Sequence, residues 1–196
     1  MNEDLAFRPL MIAGLVVILT TGLRYRIKSF ASREPLDRRQ EGVFILATLR
    51  PIALVLWLSV FAYLIHPAWL AWSSVPLPAW TRWTGVGVWA AAAALLHWTL
   101  SSLGPNLTDT VVTRQVHTLV TGGPYRWVRH PFYASVALLI LALSLLAANW
   151  FFLLAGGTVV SLLLLRARRE EALLVARFGD SYRGYMARTG RFLPRF

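Results

Sequence analysis

The chain has 196 residues, is 57% hydrophobic, carries a formal net charge of +11 and contains no cysteine. Its apolar content and long charge-free runs exclude an ordinary soluble domain, and the missing cysteine excludes a disulfide framework, a thiolate metal site and a cysteine nucleophile. No nucleic-acid module accompanies the positive charge, so the basic residues are assigned to loops facing anionic lipid head groups rather than to a nucleic-acid partner.

In chain order, the start "MNEDLAFRPL" lacks the basic region of a cleaved signal peptide. The first apolar run, Pro9 to Leu23, is therefore expected to remain as a span. A second span is expected from Val43 to Ile65, with Arg50 and Pro51 near its start. The loop "HPAWLAWSSVPLPAWTRW" follows, and its Trp69, Trp72, Trp80 and Trp83 read as an aromatic belt at the outer interface. Pro67, Pro76 and Pro78 predict that this loop is non-helical. A third span, Thr84 to Leu103, contains the small-residue run "WAAAAALL", which suits close helix packing in lipid.

Between Arg129 and Arg166 only His130 can carry charge. A straight helix over Phe132 to Leu165 would reach about 50 Å, against a hydrocarbon core of about 30 Å. This stretch must fold back, with the turn expected near Asn149 and each arm short. Beyond Leu165 the pattern becomes charged and amphipathic. Leu173, Leu174, Phe178, Tyr182 and Tyr185 recur at near-helical spacing. Gly179 predicts the end of one helix, with Asp180 or Ser181 capping the next. This tail is expected to lie on the membrane surface or to fold over the end of the bundle.

The pattern predicts an all-α integral membrane protein with about five transmembrane helices and a C-terminal amphipathic cytoplasmic helical segment. One membrane domain is expected over residues 1–196: N-terminal spans in 1–102, and a core in 103–196 around the hairpin 132–165. Six basic residues fall in the first loop, three in the third loop and eight in the tail, seventeen of the twenty in all. Arg8 and Arg82 fall on the opposite side. An N-terminus outside and a cytoplasmic C-terminus satisfy the positive-inside rule at every loop.

Two polar clusters flank the hairpin on the expected cytoplasmic face, His117 to Tyr133 and Arg166 to Glu171, and a hairpin brings such ends together. The first, "HTLVTGGPYRWVRHPFY", offers glycines for tight turns, prolines that fix chain direction, tyrosine faces and two histidines. The second adds Arg166, Glu170 and Glu171. The mixture suits a ligand that is zwitterionic at one end, aromatic at the other and cationic between them. S-adenosylmethionine has that character, and its sulfonium gains cation–π energy over a tyrosine face. No metal-ligand spacing is present, and no dinucleotide-type glycine fingerprint.

The first cluster resembles the signature of the isoprenylcysteine carboxyl methyltransferase family, H-x-L-V-T-x-G-x-Y-x-x-x-R-H-P-x-Y. "REEALLVARFGDSYRGYMARTGRFLP" resembles that family's tail, and "LGPNLTDTVV" resembles a segment upstream of the signature. Together the likeness covers about Leu103 to Pro194. It implies S-adenosylmethionine as cofactor. His117, Thr118, Leu119, Val120, Gly123 and Tyr125 would line it, His130, Pro131 and Tyr133 would form the other wall, and Glu170 would hold a polar end. Arg166 would face the carboxylate of a lipophilic acceptor delivered from the bilayer. The chain departs from the pattern at Phe132, where a small residue is common, and in its short glutamate run. Phospholipid and thiol methyltransferases of membranes share the RHP-x-Y and glutamate elements, so an amine or thiol acceptor stays open. So do an NADPH-dependent sterol-type reductase fragment and a non-catalytic membrane adaptor.

Overall fold

The computed structural model describes residues 4–30, 43–104 and 118–195, with side chains described for 6–27, 47–104 and 118–195. Among these residues there are six α-helices: α1 (Asp4–Phe30), α2 (Val43–Ile65), α3 (Ala79–Leu103), α4 (Pro131–Ala147), α5 (Trp150–Phe178) and α6 (Asp180–Arg188). Short 3-10 turns at Pro67–Ser73 and Gly123–Arg126 precede α3 and α4. Residues 31–42 of the basic first loop and residues 105–117, His117 among them, lie outside the described residues, while Arg24, Arg26 and Lys28, expected in that loop, belong to α1.

Four helices are long and apolar enough to cross a bilayer: α1, α2, α3 and α5. Their outward faces carry Val16, Leu23, Leu54, Leu58 and Phe61, each about half exposed. Such a surface is stable only in lipid, so the chain is an integral membrane protein. The fifth expected span, α4, has 17 residues and rises about 25 Å, short of a full hydrocarbon core. The arms of the hairpin are unequal, against the expectation that both are short. Helix α5 runs on without a break for 29 residues, so Arg166 to Glu171 lie within its last turns rather than beyond it.

The most extensive helix contact is α3 on α4, then α4 on α5 and α2 on α5, with α1 against α3 and α4. Small residues set the closest approaches. A Cβ on Gly156 of α5 would fall 2.3 Å from Ile140 Cγ2 on α4, so only glycine lets those helices meet there.

The turn falls where expected. Ala148 adopts the left-handed conformation (φ 48°), and the Asn149 side chain caps α5 by accepting from the Phe151 N–H at 3.0 Å. Asn149 Nδ2 also donates to Ser73 Oγ at 2.9 Å and the Leu70 carbonyl at 3.2 Å, tying the hairpin tip to the tryptophan-rich connection. Arg82 is no loop charge. It is 4% exposed, lies over the Phe7 ring at 4.2 Å, and donates through Nε (3.0 Å) and Nη2 (2.7 Å) to the Leu146 carbonyl, capping the end of α4. Arg8 likewise reaches the last carbonyls of α2, Leu64 and Ile65. The two arginines on this side are therefore helix caps, supplying donors to last-turn carbonyls that have no partner within their own helix. Trp69, Trp72, Trp80 and Trp83 stay exposed around them, as a belt requires. Pro67 opens a 3-10 turn and α3 begins at Ala79, so the connection is more ordered than its prolines suggest.

Candidate active site

At the other end of the hairpin the two polar clusters meet. The Tyr133 hydroxyl on α4 donates to Glu170 Oε1 on α5 at 2.8 Å, and Arg166 Nε donates to the same oxygen at 3.0 Å. His130 lies just before α4 and is 8% exposed. Its Nδ1 is 3.6 Å from Glu170 Oε2 and its Nε2 is 3.3 Å from Glu171 Oε1. The imidazole stacks on the Tyr133 ring, centroids 5.3 Å apart and planes within 3°. Consecutive helix residues point in different directions, so the glutamate pair divides its work. Glu170 faces a cavity, and Glu171 turns back into the protein.

Glu171 is 4% exposed and joins three chain segments. It accepts from Arg129 Nε at 2.8 Å, from Arg191 Nη2, and lies against His130. Arg129 Nη1 in turn donates to the carbonyls of Met186 (3.1 Å) and Thr189. Backbone bonds complete the junction. Gly190 N–H donates to the Trp127 carbonyl (3.0 Å), Arg129 N–H to the Gly190 carbonyl (2.9 Å), and His130 N–H to the Arg191 carbonyl (3.0 Å). The Phe192 ring lies 5.6 Å from His130, so the imidazole is flanked by Tyr133 and the tail. The tail thus folds over the bundle, one of its two expected placements. Gly179 (φ 54°) turns the chain from α5 into α6. Tyr185 on α6 donates to the Tyr125 carbonyl at 2.6 Å. Burial pushes the Tyr185 phenol up to about 12, against opposing effects of Arg129 and the Thr189 hydrogen bond. Burial, with Tyr185 and the Glu170 charge nearby, raises Tyr125 as well. Both phenols stay neutral donors at any physiological pH.

The cavity has a volume of about 890 Å³. Of the candidate residues, the structure brings Thr118, Leu119, Val120 and Tyr125 to its wall from the loop, His130 and Tyr133 from the α4 side, and Arg166 and Glu170 from α5. Gly123 and Pro131 stand behind it. Gly123 has φ 59°, and a Cβ there would fall 2.2 Å from Ser102 Oγ, so it seats the loop on α3. Pro131 is buried at the first position of α4, where its missing N–H costs nothing. His117 falls outside the described residues. The expected cofactor and acceptor contacts included neither Glu171, though it was named in the second cluster, nor Arg129, Arg191 and Tyr185; these build the junction beside the site, and Arg129 and Tyr185 reach the cavity wall. The signals available were the doubled glutamate and the arginine before His130. Nothing local marks Arg191, because its partner is twenty residues away.

From this polar end the cavity continues into the bundle between apolar faces of α1 to α5, including Leu23, Leu56, Leu100, Val136 and Leu163. Fold and chamber together define an integral membrane protein with a polar pocket continuous with its apolar interior. Residues 85–176 match the sequence profile of the isoprenylcysteine carboxyl methyltransferase family. Over 74% of its length it is similar in fold to the solved structure of the eukaryotic intramembrane Ras methyltransferase ICMT, at a TM-score of 0.56 and 24% identity. It is also 35% identical over 65 residues, 33% of the chain, to the uncharacterized protein YpbQ of Bacillus subtilis (strain 168). The matches span 39% of YpbQ and 51% of the solved methyltransferase chain.

Proposed function

We propose that this chain is a membrane methyltransferase that moves a methyl group from S-adenosylmethionine to a lipophilic acceptor, a carboxylate such as that of a prenylated cysteine. The observation that carries the reading is one cavity holding both kinds of wall. A charged and aromatic end lies at Glu170, and a lipid-like end lies among the helices. The cofactor and the acceptor need those two environments, and they must meet where the walls meet.

The residues at the polar end fit the cofactor. Glu170 presents a carboxylate to a cationic amino group, oriented by Tyr133 and Arg166. Tyr125, Tyr133 and His130 give flat faces for an adenine and for a sulfonium. Thr118 to Val120 lie along the wall beside them. When bound, S-adenosylmethionine supplies an electrophilic methyl group on a positively charged sulfur.

The protein's own part is binding and desolvation. Arg166 spends Nε on Glu170, and we assign its remaining N–H groups to the acceptor carboxylate. That carboxylate is already ionised near neutral pH, so no general base is required. The apolar walls exclude water, which strengthens the electrostatics around the nucleophile. A thiol or amine acceptor would instead have to lose a proton, and His130 and Glu170 are the groups at hand to receive it. We assign the site to the cytoplasmic face, with the N-terminus outside, because Arg26 near the end of α1, Arg129 and the arginines of α5 and the tail share its end of the bundle.

Calorimetry on the purified protein in detergent tests the cofactor. S-adenosylmethionine should bind and NADPH should not. Binding of NADPH alone would favour a reductase, and binding of neither would favour an adaptor. Labelled cofactor, incubated with total membrane lipids and with farnesylcysteine analogues, then identifies the acceptor.

A further inference from the structure

The apolar branch of the cavity has a floor. On α4 its wall runs from Tyr133 to Leu143, and on α5 from Glu170 back to Val159, each about 15 Å of helix rise. On α1 the stripe from Arg26 to Leu15 covers the same depth, about 16 Å. Below that level a layer of buried side chains separates this branch from a smaller cavity at the tryptophan end. Leu15, Val60, Trp89 and Leu143 belong both to the cavity wall and to the buried cluster that continues through Met11 and Phe152. A depth of about 15 Å is half the hydrocarbon core of a bilayer. An occupant with its head at Arg166 and one extended chain would therefore reach this floor near the membrane's midplane.

Trp89 is the largest of the four side chains, 7% exposed and held in place by α1. A Cβ on Gly14 would fall 2.4 Å from its Nε1, so the indole fits only because position 14 is glycine. That Nε1 has no hydrogen-bond partner among the described residues. A phenylalanine or leucine would fill apolar space there without burying an unpaired donor. Packing alone therefore gives no reason for tryptophan, whereas a rigid, bulky stop does.

We propose that Trp89 is a specificity-determining residue, the ruler that sets the longest hydrocarbon chain the acceptor can carry, with Val60 at the same level. This rests on the reading that the cavity takes a lipophilic acceptor. Of the floor's four members, Leu15 and Val60 lie outside the residues matched by the family profile, whereas Trp89 and Leu143 lie inside them.

The test uses N-acetylcysteine thioethers carrying geranyl, farnesyl or geranylgeranyl chains, followed by methyl transfer and, independently of turnover, by equilibrium binding. Trp89→Leu deepens the chamber and should shift the preference toward the longer chain. Val60→Phe raises the floor and should shift it toward the shorter one. Each shift should change the ratio of kcat/KM between neighbouring chain lengths by roughly tenfold or more. Unchanged S-adenosylmethionine affinity in both variants shows that they are folded. An unaltered length profile in both, or shifts in the same direction, overturns the ruler while leaving the enzyme intact. If the wild type binds S-adenosylmethionine but none of the three thioethers, the ruler falls together with the acceptor assignment. If it does not bind S-adenosylmethionine, the methyltransferase reading itself falls.

Discussion

The two ends of the bundle bury the same kinds of residue for different ends. At the tryptophan end Arg82, Asn149, Ser73 and Ser144 spend their polar atoms on the hairpin tip and its neighbours, around a filled core. At the basic end Arg129 and Arg191 converge on the buried Glu171 carboxylate, and Arg129 reaches the cavity wall together with Glu170, His130 and Tyr133. The first end borders a smaller cavity of about 420 Å³ beside Arg82 and Asn149, and the second opens on the larger one that runs into the apolar interior. A buried arginine in a membrane protein is thus no sign of function by itself. What decides is whether its partners end on backbone or lead to a space.

Breaking the junction at Glu171 should have the largest effect. Glu171→Ala leaves the buried Arg129 guanidinium without its carboxylate and removes the ion pair that ties Arg191 of the tail to α5. A loss of about 3–5 kcal/mol is expected for such an unpaired buried charge. Thermal melts in detergent should show it together with loss of S-adenosylmethionine binding. Arg82→Ala makes the matching cut at the other end. It removes the donors to the Leu146 carbonyl and should cost about 1–3 kcal/mol of stability. Cofactor affinity per folded molecule should stay unchanged, and a parallel loss of affinity would show that the two ends are not independent.

Glu170→Ala probes the cavity wall. It should weaken S-adenosylmethionine binding by roughly ten- to a hundredfold, the worth of one charge-assisted contact, with little change in melting temperature. His130→Ala should act in the same direction. Unchanged affinity in both variants would remove the site from this end. Asn149→Ala should cost about 1 kcal/mol through the lost cap and leave binding alone. The smallest effect in the working range is from pH. Tyr185 titrates near 12 when folded, above its ordinary value of about 10. Its contribution is complete below pH 10 and is lost as pH rises toward 12, so alkaline melts should decline only above about pH 10.

Much of this organisation was legible in the sequence. Charge-free runs longer than a soluble helix needs fixed the helical, lipid-embedded class. The length of the stretch before Arg166 required a hairpin, because a 50 Å helix does not fit a 30 Å core, and Asn149 marked its tip through local capping chemistry. Glu170, His130, Tyr133 and Tyr125 were recognisable by their order. These features are local or periodic, and periodicity survives in one dimension.

Only the tertiary structure decided the rest. Which of two adjacent glutamates faces the cavity depends on the rotation of α5, since a turn of about 100° per residue separates a cavity-facing carboxylate from a buried one. That Arg82 caps α4 depends on α3 lying along α4, and that Arg191 reaches Glu171 depends on the tail folding back. The depth of the cavity depends on where side chains from four helices meet. Each of these is a contact between residues distant in sequence, and its energy comes from packing and desolvation that no local pattern encodes.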